Sequence, residues 1–317
     1  MPQNIALQLT QFGPPESLTL AHAELPPLAA HQVLVKVEYA GINPVDAKTR
    51  AGLGWAAQRY GDQLPWTPGF DIAGEIVELG TKVQGLSVGQ RVAGLVMTGG
   101  GYSQYVAVDA ALLCAVPNHV SSQKAAGLPL AGLTAWQALA KANIRPGERV
   151  LILAGAGGVG HLAIQLANSM QAQVIASCSS DNVDFVKELG AIALDYRQAP
   201  LAEQCESVDV IIDLIGGEVG LAALQCGHSN CRVVTLPTVT AQQVIEAAER
   251  LAMQAQGLLV EAEPKALHEM LNRVEAGHLK VEISHIYPLY RGADAHRAIE
   301  SGHTRGKMLF DLDNVTP

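Results

Sequence analysis

Residues 149–160 read Arg149-Val-Leu-Ile-Leu-Ala-Gly-Ala-Gly-Gly-Val-Gly160, and the fold of the chain turns on them. The apolar run 150–153 predicts a buried strand, and 159–170 has helical apolar spacing. Between them stands G-x-G-x-x-G, with a second strand expected at 173–177. A lone glycine pattern says little, but strand, turn, helix and second strand in this order predict a dinucleotide-binding turn. Gly155 is expected to permit the tight turn, and Gly157 to let a pyrophosphate approach the backbone. Gly160 is expected to let helix and strand pack closely, with the helix N-terminus facing the negative charge. Gly155, Gly157, Gly158, Val159 and Gly160 are therefore the expected cofactor-binding residues. His161 reads as a helix-surface residue.

The tip of the second strand reads Ser177-Cys178-Ser179-Ser180, and Asp181 comes late. A carboxylate at such a tip binds a ribose 2′-hydroxyl; an uncharged, hydroxyl-rich tip tolerates a 2′-phosphate. Ser179 and Ser180 thus predict NADPH rather than NADH. The phosphate still needs a cation, and Tyr196, Arg197 and Arg305 are the candidate suppliers.

Working outward, further strands are expected at 208–214 and 231–236 and a short helix at 183–189. Strands alternating with helices imply βαβ units in a doubly wound parallel sheet, assigned to residues 123–262. Upstream, 33–39, 72–77 and 90–94 read as strands. Gly13-Pro14-Pro15, Pro26-Pro27, Pro65 and Pro68-Gly69 punctuate them, which predicts a small barrel or sandwich over residues 1–122. After about residue 262 come a helix at 265–276, a strand at 280–286, another helix and a closing strand at 307–312.

Composition bounds the reading. A chain of 317 residues fits two domains. Apolar residues at 49% against 16% charged exclude a disordered chain. Lys plus Arg number 21 against 30 Asp plus Glu, so the net charge is −9 and a nucleic-acid partner is not expected. Five cysteines, an odd number, do not make a disulfide framework and fit a reducing cytosol. Residues 1–10 lack the basic and apolar regions of a signal peptide. The most apolar stretch, 150–167, is interrupted by glycines, His161 and Gln165, so no membrane span is expected.

Several segments together resemble the zinc-independent medium-chain dehydrogenase/reductases of the quinone oxidoreductase (ζ-crystallin-like) and alkenal reductase branch. They are Ala40-Gly-Ile-Asn-Pro-Val-Asp46, Pro68-Gly-Phe-Asp-Ile-Ala-Gly74, Val88-Gly-Gln-Arg-Val92, Gly101-Tyr-Ser-Gln-Tyr-Val106, residues 125–139, residues 155–165 and His303-Thr-Arg-Gly-Lys307. The resemblance implies a GroES-like, β-rich substrate domain over 1–122 completed by 263–317, a Rossmann domain between, and an active site in the cleft. It also implies a homodimer, paired through edge strands such as 232–236 and 256–261.

Relatives with catalytic zinc look like G-x-C-x-x-D followed by G-H-E. Here Asn43 stands in the first pattern and Phe70 in the second, so no metal is expected. Cys226-Gly-His228-Ser-Asn-Cys231 has ligand-like spacing but no evident fourth ligand, and buried structural thiols are the plainer reading. Without a metal, the chemistry implied is hydride transfer from the nicotinamide to a quinone or an α,β-unsaturated carbonyl. The resemblance places Asn43 and Asp46 where substrate and nicotinamide ribose meet, Asn43 as amide donor and Asp46 as orienter. Lys48 either stabilises a developing enolate or is a solvated ion-pair residue. Arg50 reads as structural. Thr134 maps beside the nicotinamide or packs its helix. Trp55, Tyr60 and Trp66, read as one loop, form either a pocket wall or loop packing. The alternatives are an alcohol or carbonyl oxidoreductase of the same superfamily, and an NADPH-binding sensor without turnover.

Overall fold

The computed structural model describes residues 4–25, 27–205 and 207–315. Pro26 of the Pro26-Pro27 pair, and the first three of the ten N-terminal residues read for a signal peptide, lie outside the described residues.

The chain divides into two compact units, residues 1–133 with 261–317, and residues 134–260. The sequence places these junctions at 122/123 and 262/263. Residues 129–133 count with the first unit although they begin the helix Pro129–Ala142. The reason is local: the Leu130 N–H donates to Asp71 Oδ1 at 2.6 Å.

The second unit holds a six-stranded sheet in which every pair is parallel. Across it the strands run Ile192–Asp195, Gln173–Cys178, Arg149–Ile152, Val208–Asp213, Gly227–Thr235 and Gln254–Gly257. Numbered within the unit this is 3-2-1-4-5-6, the doubly wound dinucleotide-binding order, which reverses beside Arg149–Ile152. Leu151, Leu153, Ile211 and Val233 fill its core and are at most 0% exposed. One expectation fails here. Residues 232–236 are not an edge, because Gly227–Thr235 pairs on both sides. The two edges are Ile192–Asp195 and Gln254–Gly257, and the second begins two residues earlier and ends sooner than the edge strand expected at 256–261.

The first unit is built on a seven-stranded, mostly antiparallel sheet, with the hairpin Asn4–Leu9 and Leu18–Ala23 beside it. Its longest strand, Gln32–Ile42, has three partners. Residues 32–36 pair with Tyr105–Asp109, and residues 39–42 with Lys307–Asp311. Its other side pairs with Asp71–Leu79 through two register shifts, bulges that bend a long strand. The register sets the site. Gly41 lies opposite Asp71, and Ile42 opposite Met308. Residues far apart in the chain, 43, 71 and 307, are thereby delivered to one corner. The strand expected at 280–286 begins later, as Ile283–Pro288.

Candidate active site

Where Gln32–Ile42 ends, Asn43 caps the helix Pro44–Arg50. The Asn43 N–H donates to Asp46 Oδ2 at 2.8 Å, and the Asp46 N–H returns to the Asn43 carbonyl at 3.0 Å. Pro44 at the first helical position suits an N–H that would be unpaired anyway. The Asn43 side chain is tied as well. Its Nδ2 donates to Asp71 Oδ2 at 2.8 Å, and its Oδ1 accepts from the Lys307 ammonium. Lys307 also donates to Asp71 Oδ2 and to the Ile42 carbonyl, each at 3.3 Å. Asn43, Asp46, Asp71 and Lys307 are 2%, 0%, 0% and 3% exposed. Gly41 makes room for this: a Cβ there would lie 2.4 Å from Asp71 Oδ2 and 2.8 Å from the Ala126 carbonyl.

Asp46 meets a second buried partner, the Tyr102 hydroxyl, which donates to Oδ2 at 2.8 Å. Its Oδ1 has no hydrogen-bond partner. Burial pushes the Asp46 carboxyl up to about 7, against the downward pull of the Tyr102 and Asn43 hydrogen bonds. Burial also raises the Tyr102 phenol well above its ordinary range, the Asp46 charge adding to it. Gly69, at φ 95°, leaves space for the Tyr102 ring, which a Cβ would meet at 2.4 Å. Asp46 thus orients Tyr102 and the helix start; wholly buried, it offers no oxygen to solvent.

Arg50 closes the same helix and is 2% exposed. Its guanidinium donates to the Gly13 carbonyl, to Glu300 and, at 3.3 Å, to His296 Nδ1. Burial, then the Arg50 charge, lowers His296 to about 3, so it is neutral. These contacts fasten the helix to the C-terminal segment, the structural part expected of Arg50. Lys48, on the outer face of the helix, is exposed.

The aromatic residues form one cluster with Phe70. Tyr60 stacks on Trp66 at 5.0 Å, Trp66 lies 6.0 Å from Phe70, and Trp55 lies 5.7 Å from Phe70. Trp55 and Tyr60 are not on a loop but on the helix Gly54–Tyr60, whose buried face (Ala56, Ala57, Tyr60) joins the core. The Tyr60 hydroxyl donates to the Met97 carbonyl at 2.5 Å and the Trp66 indole to the Thr98 carbonyl at 3.0 Å. Trp55 alone of the three is half-exposed. Tyr60 and Trp66 form the packed floor of the cluster, and Trp55 its open rim.

In the second unit, the glycine turn is built differently from expectation at one point. The left-handed residue is Ala154, at φ 51°, not Gly155. The Ala154 N–H reaches Ser177 Oγ at 3.1 Å and the Gly155 N–H the Ser177 carbonyl at 2.8 Å, which pins the turn to the second strand. Gly155 is glycine because a Cβ would meet the Ala176 methyl at 2.6 Å. At Gly160 a Cβ would lie 2.1 Å from the Ala154 carbonyl and 2.9 Å from Gly155 Cα, the close helix–strand approach expected. Gly157 differs. A Cβ there would meet only Ala154, at 3.2 Å or more, and Gly157, Gly158 and Val159 are half-exposed. Packing constrains Gly157 far less than Gly155 or Gly160, and it leaves the half-exposed backbone open to a group lying against it. The turn therefore fits a dinucleotide pyrophosphate at the N-terminus of Gly160–Ser169. His161, read from the sequence as a helix-surface residue, is fully buried, with Nδ1 2.9 Å from the Gly157 carbonyl, because its helix is buried at 160–164, 166 and 167 and has little outer surface.

At the second-strand tip, Ser179 accepts from Asn182 Nδ2 at 2.9 Å and Ser180 donates to Asp195 at 2.6 Å. Asp195, the last residue of Ile192–Asp195, also accepts the Arg197 N–H, and these bonds hold its carboxyl below the usual range, Ser180 first. The acid missing from the second strand thus sits on the third. Tyr196 is exposed, and the Arg197 guanidinium pairs with Asp181 at 3.2 Å. Thr134 is buried within its helix, and Arg305 is half-exposed in the first unit.

Of the residues singled out, Asn43 and Asp46 come together and Lys48 does not join them. Asp71, Tyr102 and Lys307 were missed as site residues. All three lie inside segments quoted for the resemblance, and a buried lysine had no local signal to mark it.

The chain matches two families, described as alcohol dehydrogenase GroES-like domain over residues 29–118 and zinc-binding dehydrogenase over 189–309. It is 33% identical to the 2-methylene-furan-3-one reductase of Solanum lycopersicum, covering 96% of this chain and 78% of that one. It is 33% identical to the chloroplastic NADPH-dependent alkenal/one oxidoreductase of Arabidopsis thaliana, covering 90% and 73%. A solved quinone oxidoreductase from Coxiella burnetii superposes with a TM-score of 0.95 at 39% identity, covering 98% and 99%. One description implies zinc, and the residues do not fit it. Zinc takes thiolate, imidazole or carboxylate donors in a tetrahedron. Here Asn43 and Phe70 stand in the two ligand patterns, and an ammonium lies against Asn43 and Asp71. Among the described residues, no group of three or more His, Cys, Asp or Glu is placed to hold a metal. Cys226 and Cys231 are buried, with Cys205 against their cluster, and His228 turns to Asp209 at 3.2 Å. The Cys205 contact and burial raise the Cys226 thiol, and burial raises Cys231 to about 12, so both stay protonated.

Proposed function

This chain belongs to the quinone oxidoreductase branch of the medium-chain dehydrogenase/reductases, and from that premise we propose how it works: as an NADPH-dependent reductase of quinones or α,β-unsaturated carbonyls that uses no metal. It is an oxidoreductase with a nicotinamide cofactor. The observation that carries the reading is the pairing, in one chain, of an open glycine cradle with a buried polar cluster whose cation is a lysine. Bound reduced nicotinamide supplies a hydride to an electron-poor carbon. The chain's own residues do the rest. Gly157, Gly158, Val159 and the helix behind them hold the pyrophosphate. Asn43 has two amide hydrogens, and Asp71 takes one. The second is the donor for the acceptor's carbonyl oxygen as negative charge develops there. Asp46 holds the helix start and Tyr102 in place. Trp55 forms the rim against which a flat acceptor packs, and Thr134 lies by the nicotinamide.

NADPH over NADH rests on the uncharged tip at Ser179 and Ser180, on Tyr196 and Arg197 as partners for a 2′-phosphate, and on the NADPH dependence named for the Arabidopsis relative. Asp195 counts the other way only in part, because Ser180 and Arg197 already engage it. We place the enzyme in the cytosol, a reducing compartment that suits its free cysteines. Among the described residues no helix is long and apolar enough to cross a membrane. We place a homodimer interface at the edge strand Gln254–Gly257, which overlaps the edge expected at 256–261.

The test compares NADPH with NADH, each against a quinone, a medium-chain enone and a saturated aldehyde. Oxidation of NADPH by quinone or enone supports the reading. Turnover of the aldehyde alone would make it a carbonyl reductase, and saturable NADPH binding with no turnover would make it a sensor.

A further inference from the structure

We propose that Lys307 and Asp71 are positioning residues that lock the Asn43 amide in one orientation. This rests on the reading above, in which Asn43 meets the acceptor. An ammonium has three N–H donors. Those of Lys307 meet three acceptors: the Ile42 carbonyl, Asn43 Oδ1 and Asp71 Oδ2. None is left for a substrate, so Lys307 acts through its neighbours and is not itself an acid in the reaction. Asp71 accepts from three donors, Asn43 Nδ2, Lys307 and the Leu130 N–H. The pair is sealed, with Lys307 3% and Asp71 0% exposed.

Between them the Asn43 amide has no choice. Turned over, it would set its NH2 against an ammonium and its oxygen against a carboxylate, two repulsive contacts in a buried place. The orientation seen leaves one N–H of Nδ2 unspent. The sheet register enforces the arrangement, since Gly41 faces Asp71 and Ile42 faces Met308. The ion pair thus does for the amide what a resident metal does for its ligands: it fixes which end faces inward.

Lys307→Met alone leaves Asp71 buried and unpaired, and it can fail to fold. The informative variant is Lys307→Met with Asp71→Asn, which removes both charges. An asparagine at 71 accepts from Leu130 and donates to Asn43 Oδ1, so the Asn43 amide turns over in a neutral site. The double variant is expected to melt like the wild type and bind NADPH equally well, with kcat lower by about 100-fold, the loss typical of one misplaced donor. In a mutant cycle with Asn43→Ala, the triple variant is expected to be no slower than Asn43→Ala itself. Wild-type kcat in the double variant, or losses that multiply in the triple one, would overturn the proposal.

A second readout needs no turnover. The Asn43 side-chain amide resonance, assigned by its loss in Asn43→Ala, is expected to exchange slowly in the wild type and to shift in the double variant. An unshifted resonance overturns the positioning role whatever the activity. A protected, shifting resonance in a protein that reduces no acceptor keeps the positioning role and rejects the proposed activity.

Discussion

Gly157 and Gly160 stand three positions apart and answer to different demands. Gly160→Ala puts a methyl 2.1 Å from the Ala154 carbonyl, so the helix must move off its strand. It is expected to lower stability by about 1–3 kcal/mol, as overpacking does, and to abolish cofactor binding. Gly157→Ala puts a methyl 3.2 Å from the Ala154 carbonyl, a contact that a small shift relieves, and is expected to lower the melting temperature far less than Gly160→Ala while weakening NADPH at least about tenfold. Melting curves and cofactor titrations of the two variants check this; equal losses of stability would contradict it. Asp46 gives a pH signature. Its carboxyl ionises near 3.8 in an unfolded chain and near 7 when folded. Between these values the folded protein holds a proton that the unfolded chain has released, so stability is fully present below pH 3.8 and falls as pH rises to 7. The slope is about 1.4 kcal/mol per pH unit within that window. His296 runs the other way. Its folded value is lowered to about 3 from 6.5, so its contribution is lost as pH falls through that range. The two offset each other in the wild type. Asp46→Asn removes one slope, so the stability of the variant minus that of the wild type is expected to rise from pH 4 to 7. Parallel denaturant curves across that range would contradict the account.

The strand Gln254–Gly257 is where the proposed homodimer would pair. It is parallel to Gly227–Thr235 on one side, and the Leu258 N–H points inward to the Thr235 carbonyl at 3.1 Å. By the alternation of a strand, the Ala255 N–H points to the free edge. Ala255→Pro removes that donor while sparing the inner ladder. It is expected to convert a dimer to a folded monomer, read by light scattering with the circular dichroism unchanged; a dimeric variant would contradict pairing through this edge. Periodicity exposed the elements whose burial is continuous, such as Arg149–Ile152 and Val208–Asp213, because a strand covered on both faces is apolar throughout. It did not expose Gln254–Gly257, a polar edge strand, or the helix Gly54–Tyr60, where glycines and aromatics imitate a loop. The start of Gly227–Thr235 was hidden too, since residues 227–230 are polar and glycine-bearing.

Taken over the whole chain, the legible part of the site was the part made by consecutive residues. The glycine turn is local, so its spacing announced it. The buried cluster is not: Asn43, Asp71, Tyr102 and Lys307 meet only through sheet register, and nothing beside Lys307 in the chain marks it for burial. The segments that carried the family resemblance around residues 40–46, 68–74, 101–106 and 303–307 all supply this one cluster, which is a physical reason for them to occur together. Lys48, the lysine that the family resemblance brought forward, is exposed, whereas Lys307 is buried. The central claim is that hydride passes from the nicotinamide to a conjugated acceptor without a metal. The most direct measurement gives EDTA-treated protein NADPH deuterated at the transferred C4 position and follows the label into a medium-chain enone by mass spectrometry and NMR. One deuterium is expected on the β-carbon of the saturated product, at a rate unchanged by EDTA. Absence of label from the β-carbon, or reduction that appears only when zinc is restored, would contradict that claim.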